Sequence, residues 1–147
     1  MTQTTTKTLD QRRAEHAWQA VRQLLPDEAD QNQKKVEYAK EYQREARKLS
    51  VRVMNAGLGQ ALAFLGAKAK KKSSLKELIR NLNDWVGNKR ELPLNNRKNT
   101  LIETVIHGDS DEFQMLTDET LLYVQWLNRF LEARLGAADL DGNGADS

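Results

Sequence analysis

Apolar residues recur along this chain at intervals of three and four, the spacing that places them on one side of an α-helix. Ala14, Ala17, Trp18, Val21, Leu24 and Leu25 form the first such stripe, preceded by Thr8-Leu9-Asp10-Gln11. That tetrapeptide reads as a capping box, with Thr8 covering free helix N–H groups. The stripe stops before Pro26, because the residue preceding proline is pushed out of the α region. After a polar loop over 27–33, a second helix is predicted over about 34–49, burying Tyr38, Tyr42, Ala46 and Leu49. Ser50 is a plausible cap for a third helix from Val51 to about Ala69. Its apolar residues, among them Val51, Met54, Leu58, Leu62 and Phe64, go nearly all round, which predicts a central position.

Ser74-Leu75-Lys76-Glu77 reads as a second capping box, opening a helix that turns Leu75, Leu78, Leu82, Trp85 and Val86 inward and stops at Gly87. A loop over 88–96 leads to a short helix over about 98–107. Thr117 is the expected cap of a long last helix, Asp118 to Leu135, with Leu121, Val124, Leu127, Phe130 and Leu131 inward. No stretch alternates as a strand does. The expectation is an all-α, compact helical bundle of five to seven helices. Residues 1–7 are expected to be a disordered N-terminal tail, 8–136 one helical domain and 137–147 a disordered acidic tail.

Length supports one domain, since 147 residues is an ordinary single-domain size. The absence of cysteine removes disulfides and thiolate chemistry and fits a reducing compartment. No apolar run could span a membrane, and MTQTTTKTLDQRR carries no secretory signal, so a cytoplasmic location is expected.

Catalytic chemistry has little to stand on. His16 and His107 are the only histidines, and neither has metal-ligand spacing. No phosphate-binding loop and no nucleophile elbow occur. Asp139 to Gly144 matches the first half of a calcium loop but lacks the bidentate glutamate such a loop requires, and reads as acidic tail. Asp109, Asp111 and Glu112 sit at a helix start, where carboxylates oppose the helix dipole. No metal and no cofactor are expected.

Charge changes the picture. Residues 1–90 hold 19 of the 23 Lys and Arg and 10 of the 21 Asp and Glu, a balance of +9, and the remainder balances to −7. A basic half suits a polyanion, and an acidic half suits the basic half of a neighbour. The densest basic segment is Lys68-Ala69-Lys70-Lys71-Lys72, with no acid before Glu77. Phosphate contact is the functional reading, and opposition to a helix dipole the structural one. Lys40, Arg44, Arg47 and Lys48 share a face of the second helix, although Glu37, Glu41 and Glu45 stand three residues before Lys40, Arg44 and Lys48 and could cancel them locally. Arg52, with Arg12 and Arg13, could extend either patch. Gly57, Gly59 and Gly66 inside a helical pattern suggest close approach of another backbone, from protein or from RNA.

Three stretches together resemble a known family. They are TLDQRRAEHAW (8–18), KEYQREARKLSVRVMNAGLGQALAFLGAKAK (40–70) and DEFQMLTDETLLYVQWLNRFLEA (111–133), with weaker support from LNDWV (82–86). The chain resembles the small subunit of the type III-B CRISPR effector, the fifth subunit of the Cmr complex. Two positions depart from that family's pattern, Ser50 and the Asn55-Ala56-Gly57 run, and they bear on loop geometry. The resemblance implies an all-α subunit without catalytic residues. It further implies copies stacked beside the other Cmr effector subunits, helping to hold guide RNA and target RNA, and the opposite charges of the two halves suggest that copies associate head to tail. A small DNA-binding regulator and a protein scaffold that never touches RNA are the alternative readings.

Overall fold

A 26-residue helix is the spine onto which the two ends of the bundle dock. The computed structural model describes residues 6–26, 32–89 and 91–136. Among them are six α-helices and no strand: α1 (Leu9–Leu24), α2 (Gln33–Ala56), α3 (Leu58–Ala69), α4 (Ser73–Leu82), α5 (Leu101–His107) and α6 (Ser110–Leu135). Of the two expected tails, residues 1–5 and 137–147 lie outside the described residues, and the calcium-loop look-alike lies there with them.

The Thr8 cap forms as its sequence requires. The Gln11 amide donates to Thr8 Oγ1 at 3.0 Å, and the Thr8 amide donates back to Gln11 Oε1 at 2.8 Å. Arg13 and His16 of α1 meet Glu119 and Tyr123 of α6, so the two helices run parallel. Arg47 and Gln43 of α2 meet Glu132 and Gly136, so α2 runs antiparallel to the same spine. The core of the bundle is mainly leucine, with Leu49, Leu58, Leu65, Leu78, Leu116 and Leu127 fully buried around the two buried tyrosines Tyr42 and Tyr123.

Four expected helix starts are corrected. Ser50 does not cap a helix; α2 continues through it to Ala56. The break falls at Gly57, whose φ of 90° and ψ of 158° occupy a region open in practice to glycine alone. A serine inside a helix can serve as well as one before it, whereas this backbone conformation admits one residue type. Ser74 is likewise no cap: its hydroxyl donates to Glu41 at 2.6 Å, and α4 starts without a side-chain cap. Thr117 lies within α6, its hydroxyl returned to the Phe113 carbonyl at 2.8 Å, and Asp109 with Glu112 forms the capping box instead. The helix expected from about residue 98 begins at Leu101, capped by Thr100.

Gly87 does not stop α4. The helix widens into a π-helical turn over Asn83–Asn88, with Trp85, Val86 and Gly87 buried. A Cβ on Gly87 would stand 3.4 Å from both the Cα and the amide nitrogen of Leu101. Asn83 Oδ1 accepts from that same amide at 2.8 Å, which joins the π turn to the start of α5. Close backbone approach, expected at Gly57, Gly59 and Gly66, is therefore found at Gly87; Gly59 meets only the Val105 side chain and Gly57 and Gly66 meet nothing within 4 Å.

The expectation that α3 is buried all round also fails. Leu58, Ala61, Leu62 and Leu65 face the core, but Phe64 is 49% exposed, and Val51 and Met54 on α2 are 57% and 73% exposed.

Candidate nucleic-acid interface

Helices α2 and α3 form an antiparallel hairpin about Gly57, and three contacts give its register. Arg52 lies over Phe64, Glu45 binds Lys68, and Glu41 binds Lys72. Lys40, Arg44 and Lys48 follow one another at intervals of four and so form one line along α2. The register brings that line level with Lys68–Lys72 along the hairpin, so one end of it carries two basic segments that the sequence separates by twenty residues or more.

The charges on this face are not equivalent. Glu45 is only 4% exposed, and its carboxylate accepts from Lys68 Nζ at 2.7 and 3.0 Å and from Arg52 Nη1 at 2.8 Å. Burial pushes the Glu45 carboxyl up, but the hydrogen bonds and charges of Arg52 and Lys68 outweigh it and hold the group below its ordinary value. Glu41 accepts from Ser74 and lies 3.4 Å from Lys72 Nζ. The acids of α2 thus reach across to α3 and the following turn, whereas the sequence pairs them with Arg44 and Lys48 on their own helix. Lys68 and Lys72 are compensated. Lys40, Arg44, Lys48, Lys70 and Lys71 have no ion-pair partner among the described residues.

The remaining candidates point elsewhere. Arg47 crosses to Glu132 on α6 at 2.7 Å. Arg12 binds Glu91 at 2.9 and 3.1 Å. Arg13 is buried, clasping Glu119 from Nε and Nη2 and Asp10 from Nη1. These three hold elements together and lie off the hairpin face.

A cleft of about 620 Å³ between α1 and the π turn is lined by both signs of charge, including Arg12, Glu91, Arg80 and Asp84. His16 lies at its edge, 2.6 Å from Asp84 Oδ2 and 2.7 Å from the Tyr123 hydroxyl. No group of three or more metal-ligating side chains is present among the described residues. The hairpin face, in contrast, carries uncompensated charge of one sign.

The model of the CRISPR-associated protein family Cas_Cmr5 matches residues 9–134 of this chain. The chain belongs to the Cmr5 family. A solved structure agrees: an X-ray crystal structure of a CRISPR-associated Cmr5 family protein from Thermus thermophilus is similar at 30% identity with a TM-score of 0.65, covering 86% of this chain and 97% of that one. The resemblance seen in the sequence, to the small subunit of the type III-B Cmr complex, is thereby borne out.

Two features of this Cmr5-family face are not legible in the sequence. Phe64 reads as inward, because an apolar residue on an apolar helix carries no mark of its orientation. Glu41 and Glu45 read as partners of the wrong cations, because pairing across a hairpin depends on a register that only the turn at Gly57 sets.

Proposed function

We propose that this chain is a non-catalytic structural subunit that binds the guide RNA–target RNA duplex of a Cmr ribonucleoprotein through the α2–α3 face. The observation that carries the reading is the set of unpaired cations at one end of the hairpin, Lys40, Arg44 and Lys48 on α2 and Lys70 and Lys71 at the same level after α3, since cations without an acidic partner are free to displace the counterions of a phosphate backbone. Lys68, Lys72 and Arg52 frame this set, and Arg47, Arg12 and Arg13 serve the subunit's own rigidity. In this reading residues 8–136 act as one domain in the cytoplasm, beside other Cmr effector subunits. Among the described residues no helix is long and apolar enough to cross a membrane.

Replacing Arg44, Lys48, Lys70 and Lys71 together with alanine is expected to weaken RNA binding equally across sequences and to flatten its salt dependence, by up to about 0.9 log units for each phosphate no longer engaged. Filter binding between roughly 50 and 200 mM salt reads both quantities. A Lys68, Lys72 double replacement removes compensated charges and is expected to do less. Equal RNA retention by the quadruple variant and the parent would remove the proposal.

Head-to-tail stacking is the second part of the reading. Exposed Ile106, Phe113 and Leu122 accompany the acids of α5 and α6, while exposed Val51 and Met54 accompany the basic α2. Such patches suit a heterologous contact, which propagates where an isologous one closes. Self-association measured by sedimentation is expected to weaken from roughly 50 to 500 mM salt, as screening shortens. Unchanged or stronger association over that range would exclude charge-directed stacking.

The DNA-binding alternative required a turn at Leu49-Ser50 between two short helices. Continuity of α2 through both residues removes the turn on which that reading stood.

A further inference from the structure

Phe64 combines three properties that its role in the fold does not require. The residue is 49% exposed on the outer side of α3, whose buried side is formed by Leu58, Ala61, Leu62 and Leu65. The Arg52 guanidinium carbon lies 4.2 Å from the ring centroid and Lys68 Nζ lies 5.6 Å from it. Both cations are tied to one buried carboxylate, Glu45, so they are held against the ring, Arg52 over one of its faces, instead of ranging through solvent. The other exposed residues of α3 around it are short or flexible (Gln60, Ala63, Ala67).

An exposed phenylalanine alone is ordinary. Here it stands at the border of a row of phosphate-seeking cations, and its own flanking cations are charge-balanced and fixed. Aromatic faces next to guanidinium groups are the surfaces on which unpaired nucleobases stack, at about 1–3 kcal/mol per base. A protein-docking role fits less well, because the neighbouring apolar residue Met54 lies roughly 160° around α2 from Arg52 and so belongs to another surface. We propose that Phe64, framed by Arg52 and Lys68, is a stacking platform for a base left unpaired in the bound RNA, beside or displaced from its duplex, while Arg44, Lys48, Lys70 and Lys71 take the adjoining phosphates. This rests on the RNA-binding reading above and adds to it a contact with a base.

The test uses the full chain and a single-stranded RNA carrying 2-aminopurine, whose emission falls when it stacks. With the parent protein and with Phe64→Trp, emission is expected to be quenched on binding. With Phe64→Leu, which keeps an apolar side chain but has no π-face, quenching is expected to vanish and affinity to drop about 5- to 100-fold. A strand with an abasic position in place of the probe is expected to bind the parent and Phe64→Leu equally. If Phe64→Leu retains affinity and quenching while the quadruple cation variant loses binding, the stacking proposal is overturned and the phosphate reading stands. If the quadruple variant also binds like the parent, both fall. If Phe64→Leu alters self-association and leaves RNA binding intact, the ring packs against a second copy, and the proposal is again overturned.

Discussion

Glu119→Ala is expected to destabilise the protein by about 3–5 kcal/mol, the cost of removing one partner from a buried ion pair. Glu119 and Arg13 are 4% and 5% exposed. The Glu119 carboxylate accepts Arg13 Nη2 at 2.8 Å and Trp85 Nε1 at 2.7 Å, so its loss strands a guanidinium and an indole N–H together. Asp10, which also binds Arg13, is largely in solvent and cannot take over the buried side. Urea unfolding followed by circular dichroism measures the loss as a fall in midpoint at constant slope. Replacing both partners with apolar residues, Arg13→Met with Glu119→Leu, is expected to recover most of the stability, because no buried charge is then left alone. A single-variant loss below about 1 kcal/mol would show that water reaches the pair, and that α1 is held to α6 by its other contacts, His16 to Tyr123 and Asp10 to Trp126 among them.

Glu45→Gln is expected to move stability and RNA binding in opposite directions. The carboxylate anchors Arg52 and Lys68, and losing its charge is expected to cost about 2 kcal/mol, the scale of hydrogen bonds to charged groups. The cost stays below that at Glu119 because Arg52 and Lys68 side chains are 25% and 28% exposed and can turn to water. The two released cations strengthen the hairpin face, so RNA affinity rises at low salt and the salt dependence steepens by up to about 0.9 for each phosphate newly engaged. Reduced stability with an unaltered salt slope would place the RNA elsewhere. The same residue sets a pH dependence. Its folded-state value lies below the ordinary one, so its contribution is fully present above the ordinary carboxylate value and is lost as pH falls through the folded-state value. The difference in stability between the parent and Glu45→Gln is therefore expected to shrink in acid and to be constant near neutrality.

The helical architecture was legible because burying one side of a helix leaves a period in the sequence. The α1 boundaries were the clearest, since Thr8 with Gln11 and Pro26 each act within a few residues. Ser50, Ser74 and Thr117 misled for one reason: a hydroxyl can cap a helix, bond back within it or reach another helix, and the choice lies with distant packing. At the candidate site, the basic residue types and their segments were visible. Which of them are free was not, because Glu45 meets Lys68 across 23 positions and Arg13 meets Glu119 across 106. The π turn was invisible for a related reason: its wider winding fits Gly87 to the backbone of Leu101, a neighbour that only the folded chain supplies.

The separations just given imply an order of assembly. Every residue of the hairpin face lies between positions 40 and 72, so contacts of short range complete it. The clasp of α1 by α6 waits until the far end of the chain has been made, and closing it captures a segment synthesised first. A growing chain therefore carries all the residues of its basic hairpin before the partner of its first helix has been made, and α1 is clasped last.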